Sequence, residues 1–214
     1  PFPIRVTEKR LPQMKHYGDV SKISGADLEP ADVITFGSPC QDMSVAGKRA
    51  GLDGARSGLF FQAVRIIKEM RAKYGKPRYA VWENVRGALS SAGGEDFRRV
   101  LEELCRVKDD AADVPRPPKG KWQSAGCVMG DGYSIAWRVL DAQYWGVPQR
   151  RKRIYLVADF DGDSAGKVLF DSEGVSGHSE KMRSAWQDFA RTAQNGAGET
   201  GGVLNDQGGM LVLF

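Results

Sequence analysis

The sequence predicts an α/β fold in which a doubly wound, mostly parallel sheet carries an antiparallel hairpin at one edge. The first observation is that short apolar runs alternate with amphipathic helical segments, which is the pattern of βαβ units. The second is that the last two strand-like segments follow one another with only a turn between them. A chain of 214 residues can form one such domain and part of another.

The first βα unit begins with the apolar run 32–36, which ends at Gly37 and reads as a buried strand. Ser57 can cap the helix that follows, and Gly75 and Pro77 end it. The apolar residues at helical spacing in this segment are Leu59, Phe60, Ala63, Val64, Ile67 and Met70.

The second unit starts with the apolar run 79–83, which predicts the next buried strand. The helix after it has one apolar face, formed by Phe97, Val100, Leu101, Leu104 and Cys105. Residues 107–131 contain three prolines and no periodicity, so we expect an insertion without regular structure. Residues 133–140 and 153–158 then read as two strands joined around Gly146 and Pro148.

A boundary is predicted near residue 160, because the chain becomes acidic and Gly-rich beyond it. One amphipathic helix is expected in this region, with a face formed by Met182, Ala185, Trp186, Phe189 and Ala190. Residues 196–201 match the GxGxxG pattern of a dinucleotide loop, but they follow a helix instead of a strand. We therefore interpret them as a turn.

Composition excludes several protein classes. No apolar run is long enough to cross a membrane and the first residues do not resemble a signal peptide, so a cytoplasmic protein is expected. Three cysteines without a CxxC pair and two distant histidines argue against a disulfide scaffold and against a metal site. Residues 1–153 carry 27 Lys and Arg against 18 Asp and Glu, a surplus that suits a polyanion such as nucleic acid.

Three segments could carry chemistry. Cys40 follows the first strand and Glu83 ends the second, so a parallel sheet would bring a thiol and a carboxyl to one edge. In an extended segment Gln149, Arg151 and Arg153 would point to one face. The alternatives are an inert buried cysteine, a solvated glutamate and a solvated basic run.

These segments resemble the signature motifs of the cytosine-C5 DNA methyltransferases. The motifs are Pro39-Cys40-Gln41, Glu83-Asn84-Val85 and Gln149-x-Arg151-x-Arg153, and the similarity extends over about residues 15–160. Gly18-Asp19-Val20 resembles the loop of the family that contacts the cofactor adenine. The resemblance implies a Rossmann-like sheet of the class I methyltransferase type and S-adenosylmethionine as cofactor.

The resemblance also implies roles for individual residues. Cys40 would add to C6 of a flipped-out cytosine, Glu83 would hold the ring N3 and the amine, and Arg151 and Arg153 would reach the pyrimidine O2. DNA contacts would come from Gln41, Ser44, Lys48, Arg49 and Gln149. Cofactor contacts would come from Asp19, Pro39 and Leu59.

Parts of the family pattern are missing from the chain, which predicts a central fragment. The Gly-rich cofactor loop and the ribose-binding acid would precede Pro1, so residues 1–160 would be a partial catalytic domain and residues 161–214 the start of a target-recognition region. We expect this chain alone to bind S-adenosylmethionine weakly or not at all, to be inactive, and to self-associate through an exposed sheet edge. The alternatives are an inactive fragment that binds DNA weakly and a methyltransferase that acts on tRNA.

Overall fold

A computed structural model of the chain describes residues 2–38, 58–117, 120–146, 148–170 and 210–213. A six-stranded sheet has the strand order β3-β4-β5-β2-β1-β6. The strands are β1 (Val33–Gly37), β2 (Tyr79–Val85), β3 (Ala125–Gly130), β4 (Tyr133–Asp141), β5 (Lys152–Asp159) and β6 (Met210–Leu213). The helices are α1 (Phe2–Arg10), α2 (Gly58–Tyr74), α3 (Glu95–Cys105) and α4 (Ala165–Phe170).

The first βαβ unit is confirmed. Strands β1 and β2 pair in parallel, with Val33 opposite Tyr79 and Gly37 opposite Glu83. Helix α2 connects them and buries its predicted apolar face, except that Leu59 is only half-buried. Gly75 ends the helix with φ +68, a left-handed conformation that favours glycine. Its predicted cap, Ser57, lies outside the described residues.

The core lies between the sheet and helices α2 and α3. All five apolar residues predicted for α3 are buried, as is Trp82 of β2. Phe97 lies 6.3 Å from the Trp82 ring and 5.4 Å from that of Trp137 on β4, between ring centroids. This aromatic cluster fixes α3 against both the parallel and the antiparallel half of the sheet.

The prediction that residues 107–131 lack regular structure is wrong for part of the segment, because β3 lies there. It pairs antiparallel with β4, Gly126 opposite Trp137 and Gly130 opposite Tyr133. A Cβ at Gly126 would come within 2.2 Å of the Trp137 ring, so the ring covers the glycine. Glycine is depleted in strands, and two glycines needed for close packing concealed the strand pattern.

The antiparallel part of the sheet is therefore larger than an edge hairpin. Strands β3, β4 and β5 form it, and β5 joins β2 in antiparallel register with Glu83 opposite Tyr155. On the other side, β6 pairs in parallel with β1. The β1 edge that the sequence predicts to be exposed is thus paired, and self-association through it stays a prediction. The helix predicted around 182–190 and the turn at 196–201 lie outside the described residues.

A buried carboxylate, Asp159, fastens the end of β5 and makes stability depend on pH. Burial opposes its ionisation, but the Arg78 guanidinium, with Nε 3.1 Å away, and the Ser164 hydroxyl, 2.6 Å away, lower the pKa of this fully buried side chain. A carboxyl with a lowered pKa stabilises the fold above its unfolded pKa of about 3.9, and this contribution is lost as the pH falls through the folded value.

Replacing Asp159 with asparagine is expected to lower the free energy of unfolding by about 2–4 kcal/mol at pH 7, because the Arg78 charge loses its partner. The difference in the free energy of unfolding between the variant and the unaltered protein should become smaller at acid pH, where the native carboxyl is itself neutral. Urea unfolding at neutral and acid pH measures it, with Asp131→Asn at the exposed β3–β4 turn as the control. An equal deficit at both pH values would contradict the assignment.

Candidate active site

The carboxyl ends of β1 and β2 meet at one edge of the sheet, where Glu83 lies. Gly37 is the last residue of β1 and lies opposite Glu83 in the parallel register. A Cβ at Gly37 would lie 3.6 Å from Glu83 Oε2, so the carboxylate stands beside the β1 backbone. The chain leaves β1 at this point and reaches Cys40 three residues later.

Ser38 is fixed to β2 by three hydrogen bonds. Asn84 Nδ2 donates to the Ser38 carbonyl at 2.9 Å and to its Oγ at 3.3 Å, and Trp82 Nε1 donates to Oγ at 3.2 Å. Both Ser38 and Asn84 are buried, where such bonds are costly to break. The start of the segment that leads to Cys40 is therefore held against the strand that carries Glu83.

Glu83 forms an ion pair with Arg153. Arg153 Nε lies 3.1 Å from Glu83 Oε1, and the side chains remain 39% exposed for Glu83 and 22% exposed for Arg153. The antiparallel register causes this approach, since Arg153 near the start of β5 pairs with Val85 of β2. The carboxylate is thus oriented by a cation and still accessible to a ligand.

Arg151 and Gln149 lie outside β5, and both side chains are exposed. The Arg151 backbone N–H donates to Asp141 Oδ1 at 3.0 Å. Among the described residues, Arg151 forms no ion pair with Glu83, whereas Arg153 does. Strand β5 begins at Lys152, one residue after Arg151, and the common face of Arg151 and Arg153 stays a prediction.

The described residues that the resemblance assigns to the cofactor lie around the N-terminal part of α2. Leu59 is in its first turn, and Arg65 Nη2 on the same helix donates to the carbonyls of Val20 (3.2 Å) and Ile23 (2.9 Å). Asp19 is exposed and caps the 3-10 turn Val20–Lys22. Hydrogen bonds from the Ser21 hydroxyl and backbone N–H lower the pKa of Asp19.

Six of the predicted site residues lie outside the described residues: Pro39, Cys40, Gln41, Ser44, Lys48 and Arg49. The two described cysteines are unsuited to nucleophilic chemistry. Burial raises the pKa of Cys105 to about 11 and that of Cys127 to about 12. Both thiols are therefore protonated at neutral pH, and the thiolate is the reactive form.

Neither a metal-binding cluster nor a membrane-spanning helix occurs in the described part of the chain. Within the ranges given above, no group of three or more His, Cys, Asp or Glu side chains could hold a metal ion. None of the helices in the same ranges is long and apolar enough to cross a membrane.

Three residues that position the site had no role in the sequence prediction: Ser38, Asn84 and Asp141. Asn84 stood in a recognised motif, and a polar residue directly after an apolar strand was an available signal. Asp141 is the last residue of β4 and accepts from the Gln143 backbone N–H at 3.3 Å, as an acid does at the start of a helical turn. Ser38 gave no signal beyond its place in a Gly-Ser-Pro loop.

Comparison with known proteins identifies the family. The model of the C-5 cytosine-specific DNA methylases matches residues 6–107 and 128–190. The chain belongs to this family. The resemblance inferred from the three motifs is thereby confirmed.

Several curated relatives are similar to this methylase chain. A DNA N-6-adenine-methyltransferase of Escherichia phage P1 is 36% identical over 96% of this chain and 30% of its own length. The type II methyltransferase M.NgoBV of Neisseria gonorrhoeae is 33% identical over 73% of this chain and 32% of its own length. The chain therefore spans about a third of the length of these relatives.

A solved structure supports the α/β fold of this methylase chain. The Entamoeba histolytica methyltransferase EhMeth matches with a TM-score of 0.50 and 15% identity. The match covers 82% of this chain and 46% of that protein. At this identity the likeness concerns the fold alone, and it agrees with the predicted fold class.

Proposed function

We propose that the protein methylates C5 of cytosine in DNA with S-adenosylmethionine as methyl donor. The observation that supports this most is the joint placement of Glu83, Arg153 and Ser38 at one sheet edge. Cys40 follows Ser38 by two residues, so we expect this carboxyl and this guanidinium to be neighbours of its thiol.

The chemistry begins with a thiolate, because cytosine C5 is a poor nucleophile until electron density enters the ring. Cys40 Sγ would form a bond to C6 and push electrons towards C5. The Arg153 charge would favour the ionised thiol and stabilise negative charge at the pyrimidine O2. After C5 is methylated, loss of its proton to a base and cleavage of the C6–S bond restore the ring and the thiolate.

Glu83 would bind the edge of the cytosine that carries N3 and the exocyclic amine. One carboxyl oxygen can accept a hydrogen bond from the amine, and the other, once it has taken up a proton from solvent, can donate that proton to N3 as negative charge builds there. The ion pair with Arg153 holds the carboxyl in one orientation. Since a stacked base cannot present C6 to a thiol, the cytosine would be turned out of the duplex.

The described residues fit parts of the cofactor. S-adenosylmethionine would supply the electrophilic methyl group. Asp19 is exposed and offers a hydrogen-bond acceptor for the adenine amine, and half-buried Leu59 offers apolar surface for the ring. These contacts, like those predicted for Pro39, rest on the resemblance.

The relative from phage P1 raises a second candidate, methylation of the N6 amine of adenine. An exocyclic amine already carries the reacting electron pair, so that reaction gives Cys40 no role. Digestion of methylated DNA to nucleosides distinguishes the two, since the cytosine reaction yields 5-methylcytosine. N6-methyladenine as the product would overturn the proposal, and methylation confined to tRNA would move the same chemistry to another substrate.

A duplex with 5-fluorocytosine at the target position is expected to trap a covalent adduct with the full-length protein. Fluorine cannot leave C5 as a proton, so the C6–S bond cannot be broken. Mass spectrometry of a digest should find the nucleotide on the peptide that contains Cys40, with unmodified duplex as the control. An adduct on Cys127 would transfer the nucleophile role to that residue.

A further inference from the structure

Two adjacent aromatic side chains, Tyr144 and Trp145, are exposed at the sheet edge that carries Glu83. Tyr144 is 72% exposed and Trp145 is 47% exposed. They lie in the 3-10 turn Ala142–Trp145, which follows β4. Aromatic rings usually bury most of their area, so two neighbouring exposed rings indicate a contact surface.

The turn is held in place at its start. Asp141 is buried, and its carboxylate accepts hydrogen bonds from the Gln143 side chain at 2.9 Å and from the Arg151 backbone N–H at 3.0 Å. The Ala142 N–H donates to the Arg151 carbonyl at 3.1 Å. The rings are therefore presented on a fixed turn, which lowers the entropy cost of binding.

The charges around the turn favour a polyanion. Residues 142–154 contain no acidic residue, and Arg150, Arg151 and Lys152 are all exposed. Aromatic rings beside cations are the combination that binds nucleic-acid strands, through stacking and through the phosphates. An apolar partner would leave these three positive charges without a complement.

The position of the turn fixes which part of a DNA substrate it could reach. Asp141 lies opposite Lys152 of β5, and Arg153 lies opposite Val85 of β2. Neighbouring strands are about 4.8 Å apart, so the turn begins about 10 Å from the strand of Glu83. At about 3.4 Å per nucleotide, this distance is about three nucleotides.

We propose that Tyr144 and Trp145 bind the DNA strand that flanks the target cytosine, about three nucleotides from it. Their rings pack on the sugars of that strand in a duplex, and on the faces of unstacked bases in a single strand. This inference rests on the proposed function, since it requires a DNA substrate at the Glu83 edge. This contact would not depend on the base sequence, because every base has an aromatic face.

The experiment measures DNA affinity of the full-length protein carrying Tyr144→Ala and Trp145→Ala together. We expect a dissociation constant about tenfold higher for duplex and for single strands, with an unchanged slope of log affinity against log salt. A variant with Arg150→Gln and Lys152→Gln should instead reduce that slope by about 2. Tyr74→Ala at the opposite edge, where α2 ends, is the matched control and should bind as the unaltered protein does.

Unchanged affinity in the double aromatic variant would overturn the inference, and so would a reduced salt slope in that variant. An equal loss of DNA affinity in Tyr74→Ala would also overturn it. Methyl transfer by the unaltered protein to the same duplex separates this result from the proposed function. Methylation together with unchanged affinity in the variant refutes only the aromatic contact. A tenfold loss of affinity without any methylation by the unaltered protein refutes only the proposed reaction.

Discussion

Replacing Cys40 with serine is expected to reduce methyl transfer by the full-length protein to background. An alkoxide is far harder to form at neutral pH than a thiolate, so the addition to C6 would not occur. Transfer of a tritiated methyl group to duplex DNA measures the effect. DNA binding by the same variant should persist, because the contacts proposed for the basic and aromatic residues do not involve the thiol.

The other two cysteines serve as controls for this substitution. Cys105 and Cys127 have raised pKa values because they are buried, so neither thiol is ionised at neutral pH. Cys127→Ser, at a half-buried position, and Cys105→Ser should retain methyl transfer per mole of folded protein. Equal activity in Cys40→Ser and Cys105→Ser would refute the nucleophile assignment.

The elements that follow periodicity could be predicted from the sequence, because burial of one face imposes a regular apolar spacing. Helix α3 and strands β1, β2, β4 and β5 are of this kind. Strand β3 could not be predicted, because the aromatic rings of the next strand leave no room for a side chain at Gly126 and Gly130. The sequence of β3 alone does not show that these rings cover it. Strand β6 is four residues long and pairs with residues 177 positions earlier in the chain, a contact that no local pattern specifies.

The site divides in a similar way. The sequence predicts Glu83 at the carboxyl edge of the sheet, because Glu83 ends an apolar strand. The contact between Arg153 and Glu83 depended on the antiparallel register of β5 with β2, which the sequence does not specify. The bonds from Asn84 and Trp82 to Ser38 join residues more than forty positions apart, so only the folded chain reveals them.

Replacing Glu83 with glutamine is expected to lower the rate of methyl transfer by about 100- to 1,000-fold. An amide has nearly the shape of a carboxyl, but it cannot share a proton with N3 or pair with the Arg153 guanidinium. The loss should fall on kcat, since negative charge in the ring develops only as the thiolate adds.

Glu95→Gln is the matched control for this substitution, because Glu95 is also a partly exposed glutamate that pairs with arginine, here with Arg98 and Arg116. Glu95→Gln weakens ion pairing at the surface, which should lower stability by at most about 1 kcal/mol and leave the rate of methyl transfer unchanged. Steady-state kinetics and DNA affinity are measured for both variants. Since Glu83 is proposed to bind the cytosine ring and not the DNA backbone, a variant that loses affinity while it keeps kcat would place Glu83 outside the chemistry.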